Sequence, residues 1–260
     1  MSYWTWTDDQ GAVHSLDRPT LRVRQMTGYK AAPPLRGTDV VVASYPGQAW
    51  LEKQHDARKI SLELLIFDQS GGDLTPLLDE LAAAFSAHAR GTLTLYEDDG
   101  TILASAAQVS AYAPAPQTPA AQWWIAMTEF TLADPYLYGP TVTVVTDVSS
   151  SPAVQNLIHP GTVRGWKPVF TLTGAATNPE IVNGANGVSV QALVSVPGGQ
   201  TLIIDCGAWT ATLNGSSVIG SIRHAGAFPF MFIEPGSNLL TITGGSTGAA
   251  LTTVFSPPWL

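Results

Sequence analysis

The sequence predicts a mainly β protein of two domains, the first carrying one α-helix and the second a β-sandwich. Three observations carry this. From Pro168 onward the chain is a succession of strand-length apolar runs broken by turns: Val169 to Thr173, Val188 to Val194, Thr201 to Asp205, Thr210 to Leu213, Phe228 to Ile233, Leu239 to Thr243 and Ala250 to Phe255. Short strands at that spacing favour two antiparallel sheets burying alternate faces against each other. The first half mixes such runs with a single stretch of helical period. A chain of 260 residues also has room for two ordinary domains, each with a real core. The expected division is 1–140 for the first domain, 141–165 for a linker and 166–260 for the sandwich.

The elements follow in order. Ile60, Leu62, Leu64 and Ile66 alternate with Ser61 and Glu63, the period of a half-buried strand. Thr75 offers an N-cap oxygen, Pro76 suits the first helical position, and Leu74, Leu77, Leu78, Leu81 and Phe85 share a face. Arg90 and Gly91 are read as the close of this helix, predicted over about 75–90, a cation and a glycine each suiting a C-terminus. Leu93 and Leu95 resume strand alternation, Asp98-Asp99-Gly100 makes a turn, and 101–112 is the return strand. A second hairpin pairs that strand with 122–133 through Pro114-Ala115-Pro116-Gln117-Thr118-Pro119, a loop whose prolines should prevent pairing and make it project. In the second half, Asn214-Gly215 tolerates positive φ twice and marks a two-residue hairpin, Pro235-Gly236 with Asn238 marks a tight corner, and Gly244-Gly245-Ser246-Thr247-Gly248 is read as a hairpin turn.

Composition narrows function. Only 12% of residues are charged, 12 basic and 20 acidic, against about 25% for an average soluble domain. A surface so neutral is prone to association, so much of it is expected to be covered by other subunits. The net charge is −8 with no basic cluster, which disfavours nucleic-acid binding. Cys206 is the single cysteine, leaving no intrachain disulfide and no cysteine metal cluster. No apolar run reaches bilayer length and the N-terminus lacks an export signal, so no membrane partner and synthesis in the cytoplasm are expected.

The chain offers no catalytic constellation, and no enzyme, cofactor or metal site is expected. The five histidines, His14, His55, His88, His159 and His224, lack zinc-ligand spacing. There is no Gly-x-Ser-x-Gly elbow, and the Gly244–Gly248 run lacks the lysine and helix of a phosphate loop. Its acidic residues are dispersed over turns and strand faces, not paired across a cleft. Function is therefore sought in surfaces. The long irregular stretch from Arg18 to Arg58 reads as an inter-subunit arm, with Arg36, Asp39, Asp56 and Arg58 as candidates for ion pairs between copies. Trp209 and Trp259 are the candidates for stacking on a sugar ring, since Trp presents a large flat apolar face.

The order of several turn and strand signatures resembles the distal tail proteins of long-tailed, non-contractile bacteriophages. It runs through Arg22 to Gly28, Leu35-Arg36-Gly37-Thr38-Asp39, Tyr45-Pro46-Gly47, Asp56-Ala57-Arg58-Lys59-Ile60-Ser61-Leu62, the helix, and Phe130-Thr131-Leu132-Ala133-Asp134-Pro135-Tyr136. It continues through Pro168 to Gly174, Thr201 to Asp205, Leu213-Asn214-Gly215 and Glu234-Pro235-Gly236-Ser237-Asn238-Leu239-Leu240-Thr241-Ile242. The resemblance implies an N-terminal β-sandwich or split-barrel-like domain with one helix and a C-terminal sandwich of galectin-like or carbohydrate-module-like form. It implies a structural component of the virion tail tip: a hexameric ring of identical copies joining the tail tube protein to the tail-associated or baseplate hub protein. The alternative is a module binding host-surface carbohydrate through the C-terminal sandwich. The family supplies no catalytic residues to transfer.

Overall fold

The structure, a computed structural model, describes residues 2–36, 40–41, 48–49, 54–68, 72–86, 88–116, 123–165, 167–226 and 231–260. It divides into two compact units, one ending at Tyr138 and the other spanning Gly139–Trp259. Unit 1 contains β1 (Tyr3–Asp8), β2 (Val13–Ser15), β3 (Leu21–Thr27), β4 (Leu35–Arg36), β5 (Val40–Val41), β6 (Gln48–Ala49), β7 (Gln54–His55), β8 (Arg58–Phe67), α1 (Thr75–Ala84), β9 (Arg90–Tyr96), β10 (Ile102–Pro116), β11 (Trp123–Leu132) and β12 (Leu137–Tyr138). Unit 2 contains β13 (Val142–Asp147), β14 (Ala153–His159), β15 (Val169–Thr173), β16 (Ala176–Asn183), β17 (Ser189–Ala192), β18 (Ser195–Val196), β19 (Thr201–Asp205), β20 (Thr210–Leu213), β21 (Ser216–Ser217), β22 (Ile222–Ala225), β23 (Gly236–Gly245), β24 (Ala250–Phe255) and β25 (Pro258–Trp259). The molecule is mainly β with one α-helix among the described residues.

The main sheet of unit 1 runs β2-β1-β9-β10-β11-β8-β3, with β12 on β10. Its end strands are close in sequence: β2 ends at Ser15 and β3 begins at Leu21. Six Cα steps reach about 21 Å at most, whereas seven strands laid flat span about 29 Å. The sheet must therefore coil, and it encloses one face. That face holds the core: Trp4, Trp6, Leu16, Leu21, Ile60, Leu62, Leu64, Ile66, Leu93, Leu95, Phe130 and Leu132 are buried. α1 packs there through its C-terminal end, where Trp6 Nε1 donates to Ala84 O at 3.0 Å and Phe85 meets Phe130 edge to face at 5.9 Å.

The helix departs from expectation at both ends. Its N-cap is Leu74 and not Thr75, and Leu74 offers no side-chain cap; the Asp73 carboxylate, two positions before the threonine, accepts the Thr75 N–H at 2.9 Å. It stops at Ala84; Arg90 and Gly91 open β9 instead. Gly91 is there for close approach: a Cβ would lie 2.1 Å from Thr7 O and 2.9 Å from the Trp6 ring.

Unit 2 is a sandwich of β13-β24-β15-β19-β20-β21 against β14-β23-β16-β17-β22, with β18 on β16. Leu157, Phe170, Leu172, Ile181, Val190, Leu202, Ile204, Leu240, Ile242, Leu251 and Phe255 lie between the sheets. The stretch 141–165, expected as a linker, is structural: β13 and β14 are the edge strands of the two sheets on one side. Alternate residues turn inward: Val142 and Val144 of β13 pack against the core, and Ala153 and Leu157 of β14 join it. Gly244–Gly248 is not a hairpin turn either, because it passes from β23 in one sheet to β24 in the other. Asn214 and Gly215 do adopt positive φ, 51° and 83°, and join β20 to β21. Of the run expected from Phe228 to Ile233, only the last part falls among the described residues, and there Ile233 makes an isolated bridge to Gly165.

Candidate functional site

The part of unit 1 that stands out as a surface is the four-stranded wall β10-β11-β8-β3. β9 accompanies β10 only as far as Gln108, so from Ser110 to Pro116 β10 has β11 on one side and an open edge on the other among the described residues. The strand expected to end near 112 continues through Pro114 and Pro116, which pair with Ala126 and Trp124. Proline is tolerated at an edge because its missing N–H takes nothing from a neighbour there. At the far side β3 is the other edge, seven residues long.

One face of this wall is the core face; the other is bare among the described residues. The bare face carries Ala111, Ala113 and Ala115 on β10, opposite Glu129, Met127 and Ile125 on β11, then Ser61, Glu63 and Leu65 on β8. Its charges are neutralised locally. Lys59 Nζ sits 2.9 Å from Glu129 Oε1, which also accepts the Ser110 hydroxyl at 2.8 Å, and Arg24 Nη1 is 2.9 Å from Glu63 Oε1. The Lys59 contact first, then Ser110, holds the Glu129 carboxyl below its ordinary range. Toward Trp123 the face turns apolar: Trp123 is 41% and Met127 46% exposed. There Arg24, Leu65, Phe67, Asp68 and Trp123 line an open cleft of about 480 Å³. The sequence reading missed these residues, although β11 signalled them. Trp123, Ile125 and Met127 alternate with Trp124, Ala126 and Thr128, so the strand is largely apolar on both faces, the pattern of a strand covered twice.

The expected inter-subunit arm is not assembled as one site. Arg58 is 1% exposed and its guanidinium donates to Gly28 O at 3.0 Å, Pro135 O at 3.2 Å and Ala31 O at 2.6 Å. It pins its own chain, so it is removed from the candidate contacts; three inward carbonyls need a fixed multidentate donor, which arginine supplies. Burial lowers its pKa, with the neighbouring Tyr29 acting the other way. Asp56 is exposed; its carboxylate accepts the Ala57 N–H at 2.8 Å and its own N–H goes to Pro34 O. Arg36 contributes backbone to the β4–β7 pair, while its side chain and Asp39 lie outside the described residues, as do Gln117, Thr118 and Pro119 of the expected projecting loop.

The two tryptophans of unit 2 are unlike. Trp209 stands in the β19–β20 turn with φ of 58° and 62% exposure, above an Asp205 carboxylate that accepts the Gly207 and Ala208 N–H groups. Left-handed backbone at a bulky residue is a strained conformation. Trp259 is partly buried, its indole N–H enclosed near Gly139. Among the described residues no three His, Cys, Asp or Glu side chains gather to hold a metal, and no helix is long and apolar enough to cross a membrane. Burial pushes the Cys206 thiol up to about 12.

Residues 161–259 match the family described as siphovirus-type tail component, C-terminal domain. The matched stretch takes in β15 to β25 of unit 2. Over the whole chain, the crystal structure of SPP1 Dit (gp 19.1), titled a paradigm of hub adsorption apparatus in Gram-positive infecting phages, aligns with a TM-score of 0.69 at 15% identity, covering 100% of both chains. At that identity the likeness is one of fold, and the chain has the Dit fold from end to end. Structures of the phage p2 baseplate in its activated conformation, with Sr and with Ca, align over 98% of both chains at 8% identity and a TM-score of 0.45. No curated protein matches the chain by sequence. The family match leaves β13 and β14 of the sandwich outside it, while the likeness of fold extends over both units.

Proposed function

We propose that this chain is a distal tail protein of the virion tail tip, in which unit 1 closes a ring of six identical copies between the tail tube protein and the tail-associated or baseplate hub protein. The observation that carries the reading is the four-stranded wall with an open edge on each side. Its strands alternate in direction, β10 with β8 and β11 with β3. Copies related by rotation keep those directions, so β3 of one copy meets β10 of the next antiparallel, the favoured pairing. Such a contact uses two different surfaces and therefore generates a ring or a filament, not a two-fold dimer. Pro114 and Pro116 lack donors, so the ladder is expected over Ser110 to Ala113. The core face of the wall carries α1, β1 and β2, bulk that fits the outer circumference, which leaves the bare face for the channel. The number six and the two tail partners rest on the family resemblance.

The test is native mass measurement with negative-stain imaging of the purified chain, from about 1 to 100 μM, followed by imaging of tail particles. A six-fold annulus is expected. Monomer throughout, with no annulus in tails, overturns the reading.

A second reading is recognition of a host-surface glycan by unit 2, and Trp209 is the observation that favours it. A glycan array should then show binding that Trp209→Ala removes without loss of folding, whereas Trp259→Ala should act only through stability.

A further inference from the structure

In unit 2 the last residue of β14, His159, turns inward and is 1% exposed, its ring tilted against Phe255 at 5.5 Å. The Gly161 N–H points at His159 Nδ1 from 2.9 Å. A backbone amide can only donate, so Nδ1 is the acceptor and the imidazole is neutral, with its proton on Nε2. The chain wraps this ring closely. A Cβ on residue 161 would stand 2.6 Å from His159 Cε1 and 2.3 Å from Pro258 O, and one on residue 165 would stand 3.2 Å from Nε2. Glycine at both places lets the backbone close around the imidazole.

The segment so held ties other parts of unit 2 together. Val163 N–H donates to Pro258 O at 3.3 Å, Gly165 and Ile233 exchange two backbone hydrogen bonds at 2.8 and 2.9 Å, and Arg164 lies 3.0 Å from Glu234 and over the Phe232 ring at 4.2 Å. The groups facing the imidazole are the Phe255 ring of β24, the Gly161, Val163 and Gly165 backbone, and the Glu234 carboxylate, which already pairs with Arg164. Nε2 is buried and finds no hydrogen-bond partner among the described residues.

We propose that His159 is a proton-operated latch: a proton taken from solvent by Nδ1 sets donor against donor at Gly161 and opens the 160–165 segment, releasing Pro258 and Ile233. Burial holds this imidazole below the ordinary histidine range, with its own backbone carbonyl, the Glu234 carboxylate and the Val163 backbone acting the other way. The depressed folded value fixes the sign. The latch is closed at and above about pH 6.5, the unperturbed histidine value, and loosens as pH falls below it. This device is independent of ring formation.

The experiment is amide hydrogen exchange by NMR on the full chain at pH 7.5 and pH 5.0, corrected for the intrinsic pH dependence of exchange. Val163, Gly165 and Ile233 should exchange at least tenfold faster at the lower pH while the β15 and β19 amides keep their protection. In His159→Asn the amide oxygen replaces Nδ1 as a non-titrating acceptor, and the acceleration should vanish. Unchanged segment amides in the wild type, loss of protection across all of unit 2 at once, or equal acceleration in His159→Asn overturns the proposal. Should the variant not fold, the wild type decides: the His159 Cε1–H and Gly161 amide resonances must titrate with one midpoint below 6.5, and separate midpoints overturn it.

Discussion

The Thr253 hydroxyl donates to Gln155 Oε1 at 2.6 Å, joining β24 of one sheet to β14 of the other inside the sandwich. The same Gln155 sends Nε2 to Val144 O at 3.2 Å and Thr146 Oγ1 at 3.0 Å, so one side chain stitches the β13–β14 border where neither sheet has a further strand. Gln155→Leu leaves these groups without their partner and should destabilise unit 2 by about 1–3 kcal/mol. The Gln155→Leu/Thr253→Val pair should recover part of that loss, since both ends of the 2.6 Å contact are then apolar. Urea unfolding of the two singles and the double checks this, and strict additivity would refute it.

Trp6 anchors α1 to the sheet through its indole N–H and packs on Phe130 at 5.1 Å. Trp6→Ala should cost about 3–5 kcal/mol. Trp6→Phe should cost less but leave Ala84 O without the donor. Denaturant midpoints with helix content followed by circular dichroism distinguish loss of the helix dock from general loosening.

Arg58 should behave as an internal clamp and not as an interface residue. Arg58→Lys keeps the charge but cannot span three carbonyls, and a loss of about 2–3 kcal/mol is expected. If ring assembly fails in this variant while its unfolding curve matches the wild type, the clamp assignment is wrong.

Burial raises the Tyr112 hydroxyl from 10.0 to about 12, and that oxygen has no hydrogen-bond partner among the described residues. An acid with a raised folded value favours the native state only while protonated in both states. Its contribution is intact below pH 10 and is lost as pH rises from about 10 toward 12. Tyr112→Phe should therefore leave stability at pH 7 unchanged or slightly higher and flatten the decline above pH 10, as measured by thermal melts across the alkaline range.

If β3 of one copy meets β10 of the next, cysteines placed on facing edges should bridge between copies. Gln25, in register with Glu63, shares the bare face with Ala111 and Ala113, so Gln25→Cys combined with Ala111→Cys or Ala113→Cys should give oligomer ladders on oxidation, while each single substitution gives none beyond dimer. Cys206 is buried and should stay silent. Absence of ladders in both doubles, with an annulus still present by microscopy, would move the contact elsewhere.

The sandwich was legible because its strands carry their turns with them: Val169–Thr173, Thr201–Asp205, Thr210–Leu213 and Ala250–Phe255 are strands with those bounds. Local chemistry failed where a distant partner decides. Gly91 looked like a helix cap because the Trp6 ring it accommodates lies 85 residues earlier. Ala153–His159 looked like linker because serines and Pro152 set it apart, yet it borders one sheet as the short Val/Thr strand Val142–Asp147 borders the other. Arg58 looked like a surface cation because nothing in sequence announces three inward carbonyls. At the candidate surface, attention to charge and irregularity pointed to the arm, while the doubly apolar alternation of Trp123 to Thr128 was the better sign.

The five residues from Leu16 to Thr20 that connect the first and last members of the coiled sheet have a consequence for inheritance of shape. Curvature set by a short covalent strap does not drift as the interior is repacked. Mutation can loosen or tighten the filling of unit 1 long before it alters the arc each copy subtends. A lineage could thus vary its core freely while its protomers go on bending by the same amount.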